Sequence, residues 1–462
     1  MNFGGPRRPN DAREIDPARD RVCGWLAHQA KVFPDLEMSD PDESGLSSLD
    51  AAFAHAIYGA AIRRWRTLAT LLDHVMAPRT LTGIDPLVRG VLLCGLAQVY
   101  FLDRVPRHSA IDEAVEWSKQ RVRTDAGKFV NAVLRRSADL LRDPTKPVEA
   151  WEGRRDQVPL SSGGALRLRE EIFPEDPAER AAAQCSIGVG VVRRWFERLG
   201  AERGGALALH TLVDAPIMIN AMHAQRPFGP IDGPLRQHQD RGMWVFDGST
   251  AELVGLLRSR PDVWVQDAAS VRPVGALAEV DPAVIVDLCA GRGTKTRQLA
   301  SMFPRAKIVA TDADPERLES LRAVFRGSTQ VRTPEIPDVE KHVDGLGGAD
   351  AVLLDVPCSN TGVFARRVEA RYRLNGEMLG RLSETQRRIL TRGRALVRPG
   401  GAIVYATCSV EPEENQEQSK WAASELKLKL ARSEWCAPSG LPGEAASGYR
   451  DGSFFAVLAA EG

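Results

Sequence analysis

From about residue 15 to 143, apolar residues recur at helical spacing. In LDAAFAHAIYGAAIRRWRTLATLLDHVM (49–76) they fall at i, i+3, i+4 and i+7, the stripe of an amphipathic helix. Asp85 and Pro86 supply an N-cap and a first-turn proline for LVRGVLLCGLAQVYFL, a segment apolar enough to be a central helix. Ser109 and Asp112 read as a capping box for IDEAVEWSKQRV, and Asp125 as the cap of AGKFVNAVLRRSADLL. This pattern predicts an all-α bundle over residues 15–143.

Between 144 and 180 the chain turns rich in proline, glycine and acid, which predicts an extended linker. Residues 181–262 mix one amphipathic helix (VGVVRRWFERLG) with strand-like runs such as APIMINAMHA and GMWVF, the pattern of a small α+β module. From 263 to 462, buried-strand runs alternate with helical segments: VIVDLC, KIVATD, DAVLLD and GAIVYAT. One helix, ETQRRILTRGRALV, is expected to start at a Ser383 cap with Gln386 three residues on. Such alternation predicts an α/β domain whose parallel sheet is covered on both faces.

Composition narrows the function. Lys and Arg total 61 against 61 for Asp and Glu, so nucleic-acid binding would rest on local arginine clusters, not a global field. Such clusters occur at Arg63-Arg64-Trp65-Arg66, Arg135-Arg136, Arg193-Arg194-Trp195 and Arg366-Arg367. The 7 cysteines show no spacing of a zinc site or disulfide scaffold, so no metal is expected. No apolar run reaches the ~18 residues of a membrane span, and the N-terminus lacks the apolar core of a leader. The expectation is a cytoplasmic protein, and nothing in the sequence demands an oligomer.

Three strand ends carry candidate chemistry. DLCAGRGTKT follows the first strand, and its glycines let backbone approach a ligand at the carboxyl edge of the sheet. Asp312 ends the next strand, where a carboxylate accepts from ribose hydroxyls. DVPCSNTG and TCSVEPEEN follow two further strands, bringing Cys358 and Cys408 to the same edge. Paired thiols beside a nucleotide-type cofactor suit methylation of a pyrimidine at C5. That carbon becomes nucleophilic only after a thiolate adds to C6. Asp355 is placed to stabilise the ring, and a second thiol helps release the first.

DLCAGRGTKT, ATDADPERL, LLDVPCSNTG and VYATCSVEPEEN resemble the successive motifs of the RsmB/Sun branch of RNA cytosine-5 methyltransferases. LDRVPRHSAIDEAVEWSK and AGKFVNAVLRR are similar to the NusB-like domain carried ahead of the catalytic domain in that family. WVQDAASV and DGSFFAVLA resemble the opening and closing segments of the catalytic domain. The resemblance implies a Rossmann-like methyltransferase domain using S-adenosylmethionine, with a small-subunit (16S) ribosomal RNA cytidine as substrate. It also implies roles. Cys408 would attack C6, Cys358 would assist release, and Asp355 would contact the cytosine and lie beside the donor. Cys289, Ala290, Gly291, Arg292, Gly293, Thr294 and Lys295 would wrap the methionine end of the cofactor, and Asp312 would hold its ribose.

The chain departs from the family pattern in places. Where CAAPGGKT is usual, it has Gly291, Arg292 and Thr294. A requirement for φ > 0 at Thr294 would cost ~1 kcal/mol, and Arg292 sets a cation near a sulfonium. The acidic residue near the adenine falls at Glu335 or Asp338, out of register, and Val271 replaces a glutamine. ARRVEARYR stands where an RRHPD-type segment is usual. Arg292 and Thr294 keep in play an RNA-binding assembly factor with an impaired site, and because fold and chemistry do not fix the target, the same chemistry on tRNA or large-subunit RNA stays open.

Overall fold

The computed structural model describes residues 14–37 and 42–461. The start of the N-terminal stretch considered above for a leader lies outside them. The chain forms two compact units, Met1–Leu212 with Arg371–Arg373, and Val213–Ala370 with Leu374–Gly462. Among the described residues, no helix is long and apolar enough to cross a membrane.

In the first unit, helices α1 (Pro17–Val32), α2 (Ser48–Arg63), α3 (Trp65–Met76), α4 (Pro86–Phe101), α5 (Arg107–Arg121) and α6 (Ala126–Asp139) form the bundle. Asp85 caps α4 as expected, accepting from the Leu87 N–H at 2.8 Å. Every residue of α4 from Gly90 to Tyr100 is buried. A Cβ at Gly90 would lie 2.6 Å from the Ala27 nitrogen and the Cys23 carbonyl, so this glycine is what lets α4 approach α1. The start of α5 differs from the capping box expected at Ser109. It begins at Arg107 behind Pro106 with no side-chain cap, because the fixed φ of proline already suits a helix entry. Asp125 does occupy the cap position of α6, but its side chain makes no capping bond.

Residues 144–180, expected to be an extended linker, carry a hairpin of β1 (Gln157–Pro159) and β2 (Ala165–Arg167). Val158, Leu166, Leu168 and Phe173 are buried there. Apolar residues spread so thinly among prolines and acids give too little periodicity to announce a packed segment. The helices Pro177–Cys185 and Val189–His210 follow, also in the first unit.

The second unit opens with an antiparallel sheet of β3 (Ile217–Asn220), β4 (Leu235–Gln237), β5 (Met243–Phe246) and β6 (Trp264–Val265), in the order β4-β5-β3-β6. The stretch 181–262 is thus shared between the units, the helix Val189–His210 with the first, and its strands and the helix Thr250–Ser259 with the second. Then comes a seven-stranded sheet of β7 (Val284–Asp287), β8 (Lys307–Ala310), β9 (Val331–Arg332), β10 (Ala349–Asp355), β11 (Val397–Thr407), β12 (Leu428–Cys436) and β13 (Ser453–Ala460). Its order is β12-β13-β11-β10-β7-β8-β9.

Strands β9, β8, β7, β10 and β11 are mutually parallel, and β13 runs antiparallel to both its neighbours. The link from β12 to β13 contains no crossover helix, and a parallel pair would need one. The sheet is therefore mostly parallel, not wholly so. Both faces are buried. Along β10, Val352 and Leu354 join one core while Ala351 and Leu353 join the other. From β7 the chain winds outward through β8 and β9, then returns to place β10 on the opposite side. This reversal opens a crevice at the carboxyl ends of β7 and β10, the usual ligand position of such sheets.

Candidate active site

The turn after β7 places glycine where the backbone demands it. Gly291 and Gly293 have φ of +58° and +91°. A Cβ on Gly293 would also sit 2.9 Å from Leu321. Thr294 is the first residue of the helix Thr294–Met302 and has no positive φ, so the strain considered from the sequence does not arise. Arg292 is exposed. The Gly291 N–H donates to Asp312 Oδ2 at 2.8 Å, and the Asp314 N–H to Asp312 Oδ1 at 2.9 Å, which ties the loop to the end of β8.

Lys295, one residue into that helix, reaches across to β10. Its Nζ lies 2.6 Å from Asp355 Oδ2. Burial disfavours the ammonium, but the Asp355 charge outweighs it and holds the lysine above its ordinary range. Beneath them sits Asp287, the last residue of β7 and fully buried. Thr296 Oγ1 donates to its Oδ2 at 2.7 Å, whereas Oδ1 has no hydrogen-bond partner. Burial, then the Asp355 and Asp312 charges, push this carboxyl up to about 7 against the bond from Thr296 and the pull of Lys295.

A raised carboxyl contributes stability that is present below its unfolded value of 3.8 and is lost as pH rises through about 7. Asp287→Asn removes that loss, worth up to roughly 4 kcal/mol. The variant is expected to gain thermal stability over wild type on going from pH 5 to pH 8. A gap that stays constant across that range would contradict the assignment.

Two further loops bring the cysteines together. Cys358 follows β10 and Cys408 follows β11, with their sulfurs 3.2 Å apart and both free thiols. The hydrogen bond with Cys408, and then burial, push the Cys358 thiol well above its ordinary value. Cys408 is the more accessible of the two and also lies 3.2 Å from Asn360 Oδ1. Cys289, in the glycine loop, is pushed up by burial and by the neighbouring carboxylates.

The loops are pinned by a buried polar braid that sequence reading missed. Glu414 Oε1 accepts from the Ser359 N–H at 2.9 Å and from Gln386 Nε2 at 3.0 Å, while its Oε2 takes the Ser359 hydroxyl. The Ser409 hydroxyl lies 3.1 Å from those of both Ser359 and Thr361. Thr407 Oγ1 donates to Asn415 Oδ1 at 2.6 Å. Gln386 belongs to the helix Gly376–Leu396, which starts at an Asn375 cap and not at Ser383. Leu379 is buried in the preceding turn, so the apolar stripe extends N-terminally past the expected start.

The other departures resolve into local structure. Glu335 pairs with Arg322 at 3.6 Å, and the Asp338 carbonyl accepts from His342 Nδ1. Arg366 bridges Asp451 (2.6 Å) and Asp267 (3.1 Å), joining the PCSNTG loop to the opening and closing segments of the domain. Arg371 is fully buried and donates to the carbonyls of Arg63 and Thr211.

The strand order, the glycine turn at the switch point and the acidic ends of β8 and β10 define a Rossmann-like, S-adenosylmethionine-dependent methyltransferase, with two thiols at its ligand edge. Residues 274–446 match the family model of 16S rRNA methyltransferase RsmB/F, and residues 26–139 match the NusB family. The catalytic region thus matches the RsmB/F type of 16S rRNA methyltransferase, and a NusB-type region lies ahead of it. It is 28% identical to ribosomal RNA small subunit methyltransferase B of Vibrio cholerae, over 88% of this chain and 89% of that one. A putative methyltransferase of Mycobacterium tuberculosis is 29% identical over 88% and 85% of the two chains. The crystal structure of PH0851 shares the fold over 96% of this chain and 99% of its own, with a TM-score of 0.66 at 18% identity.

Proposed function

We propose that this protein transfers a methyl group from S-adenosylmethionine to C5 of a cytidine in small-subunit ribosomal RNA, through a covalent bond between Cys408 and C6. The observation that carries the reading is the pair of thiols 3.2 Å apart at the ligand edge, beside the Lys295–Asp355 pair. A methyltransferase acting on oxygen or nitrogen has no use for two such thiols.

The residues fit the donor. The methionine end of S-adenosylmethionine carries an ammonium and a sulfonium. Asp287 offers a buried carboxylate oxygen with no protein donor, and Asp312 and Asp355 bring further negative charge to bear on it. Residues 289–295 would hold that end and Asp312 the ribose. Arg292, being exposed, does not offset these carboxylates from within the site. When bound, the cofactor supplies a methyl group on a positively charged sulfur, which unactivated C5 does not attack.

This chain's residues supply the activation. The Cys408 thiolate adds to C6, pushing electrons toward C5, while Asp355 bonds the cytosine edge. The Lys295 ammonium offsets the negative charge that gathers around Asp355 and Cys408. Once C5 is methylated, its proton passes to solvent and the C5–H electrons re-form the C5=C6 double bond as the S–C6 bond breaks and the sulfur departs as thiolate, with Cys358 beside it. The target base leaves its stack to enter the pocket.

The test is incubation of the purified protein with labelled S-adenosylmethionine and unmethylated small-subunit RNA, followed by nucleoside analysis. Label is expected in 5-methylcytidine. Label in any other nucleoside would refute the chemistry, and label only on tRNA or large-subunit RNA would refute the substrate. The assembly-factor reading rests on Arg292 and Thr294, and no label with RNA binding intact would favour it.

A further inference from the structure

We propose that the Asn360 side chain is a catalytic group that holds and aims the Cys408 sulfur, a role that rests on Cys408 being the nucleophile. Asn360 sits in left-handed backbone, φ 62° and ψ 20°. Glycine would serve such a turn at no steric cost, so the backbone alone does not call for an amide. The amide instead touches both cysteine loops. Its Nδ2 donates to the Cys358 carbonyl at 3.1 Å, and its Oδ1 accepts from Cys408 Sγ at 3.2 Å.

The first bond fixes the second. A carbonyl oxygen only accepts, so Nδ2 has to face Cys358, and Oδ1 is left facing the sulfur. An acceptor at that place takes the S–H bond and directs it toward Asn360. The opposing influence is the Lys295 ammonium, which is close enough for the two charges to interact. The Cys408 sulfur is therefore held between an acceptor and a cation.

The test compares Asn360→Gly and Asn360→Asp in the full chain. One readout is alkylation of Cys408 by iodoacetamide without RNA or cofactor, and the other is the kinetics of methyl transfer. Asn360→Gly keeps the backbone but loses the acceptor. It is expected to alkylate about threefold faster at neutral pH, with kcat about tenfold lower and both KM for RNA and the melting temperature unchanged. Asn360→Asp keeps the acceptor and adds a negative charge. It should alkylate about tenfold more slowly, and the acidic limb of its kcat profile should move up by about one pH unit. Raising the pH then rescues the Asp variant and leaves the Gly variant slow.

A Gly variant with wild-type alkylation and kcat would reduce Asn360 to a turn residue and overturn the proposal. So would a Gly variant whose slower transfer came with a lowered melting temperature. Failure of the underlying reading looks different, because Cys408→Ala would then keep methyl transfer activity. The alkylation series would still report on the amide in that case.

Discussion

Cys408→Ala is expected to abolish methyl transfer, lowering kcat by about 10⁴-fold or more, as when the nucleophile of a concerted set is removed. Without a sulfur to add at C6, C5 has no enamine electrons to offer, and neither Asp355 nor Lys295 can replace them. The loss would be chemical, not structural. Cys408 is only half-buried and its truncation leaves the Cβ in place, while the Glu414 braid holding its loop does not pass through the sulfur. Donor binding by calorimetry and the thermal midpoint should stay near wild type. A Cys408→Ala protein that still labels 5-methylcytidine would require another nucleophile, and Cys358 would be the first to examine.

The second large effect separates the two thiols. Cys358→Ala leaves the attacking sulfur in place but removes the thiol beside it. It is expected to methylate once and then stall, with steady-state turnover down about 100-fold, the scale of a lost proton-transfer partner. The stalled species should appear on a denaturing gel as a protein–RNA band that carries the methyl label and is absent in Cys408→Ala. The hydrogen bond with Cys408 and then burial push the Cys358 thiol well above its ordinary value, which leaves attack on C6 to Cys408 in this reading. An unlabelled band would mean that release fails before methyl transfer, and no band at all would remove Cys358 from the release step.

Much of this site was legible because it lies in continuous stretches. The glycine turn, Asp312, Asp355 and the two cysteines each follow a buried strand, and strand ends in such a sheet face one edge. Periodicity and loop composition were enough to place them there. Asn360, Glu414 and Gln386 were not legible, because their roles exist only across the fold. Glu414 meets Ser359 from 55 positions away and Gln386 from 28. Asp287 was hidden differently. It looks like the last residue of a strand, and only burial reveals an oxygen without a partner. Thr294 shows the reverse error. Comparison with CAAPGGKT suggested strain, but the two left-handed positions fall on Gly291 and Gly293, so the altered loop retains what its turn requires. In the fold, the hairpin at 157–167 was missed because its apolar residues are few and widely spaced. Two helix starts were misplaced because a proline, in one case, and an earlier apolar turn, in the other, set the boundary in place of the expected serine.

The antiparallel strand β13 has a consequence for how the catalytic domain assembles. It follows β12 in the chain yet lies between β12 and β11, pairing along both. Phe454 and Phe455 fill opposite faces of the sheet, one in each core. Until those residues are in place, β11 has a bare edge next to the cysteine loop, and β12 has no partner. Such an edge is a template for pairing with another chain. A chain cut before Ser453 would leave that edge bare and is expected to aggregate where the full chain does not.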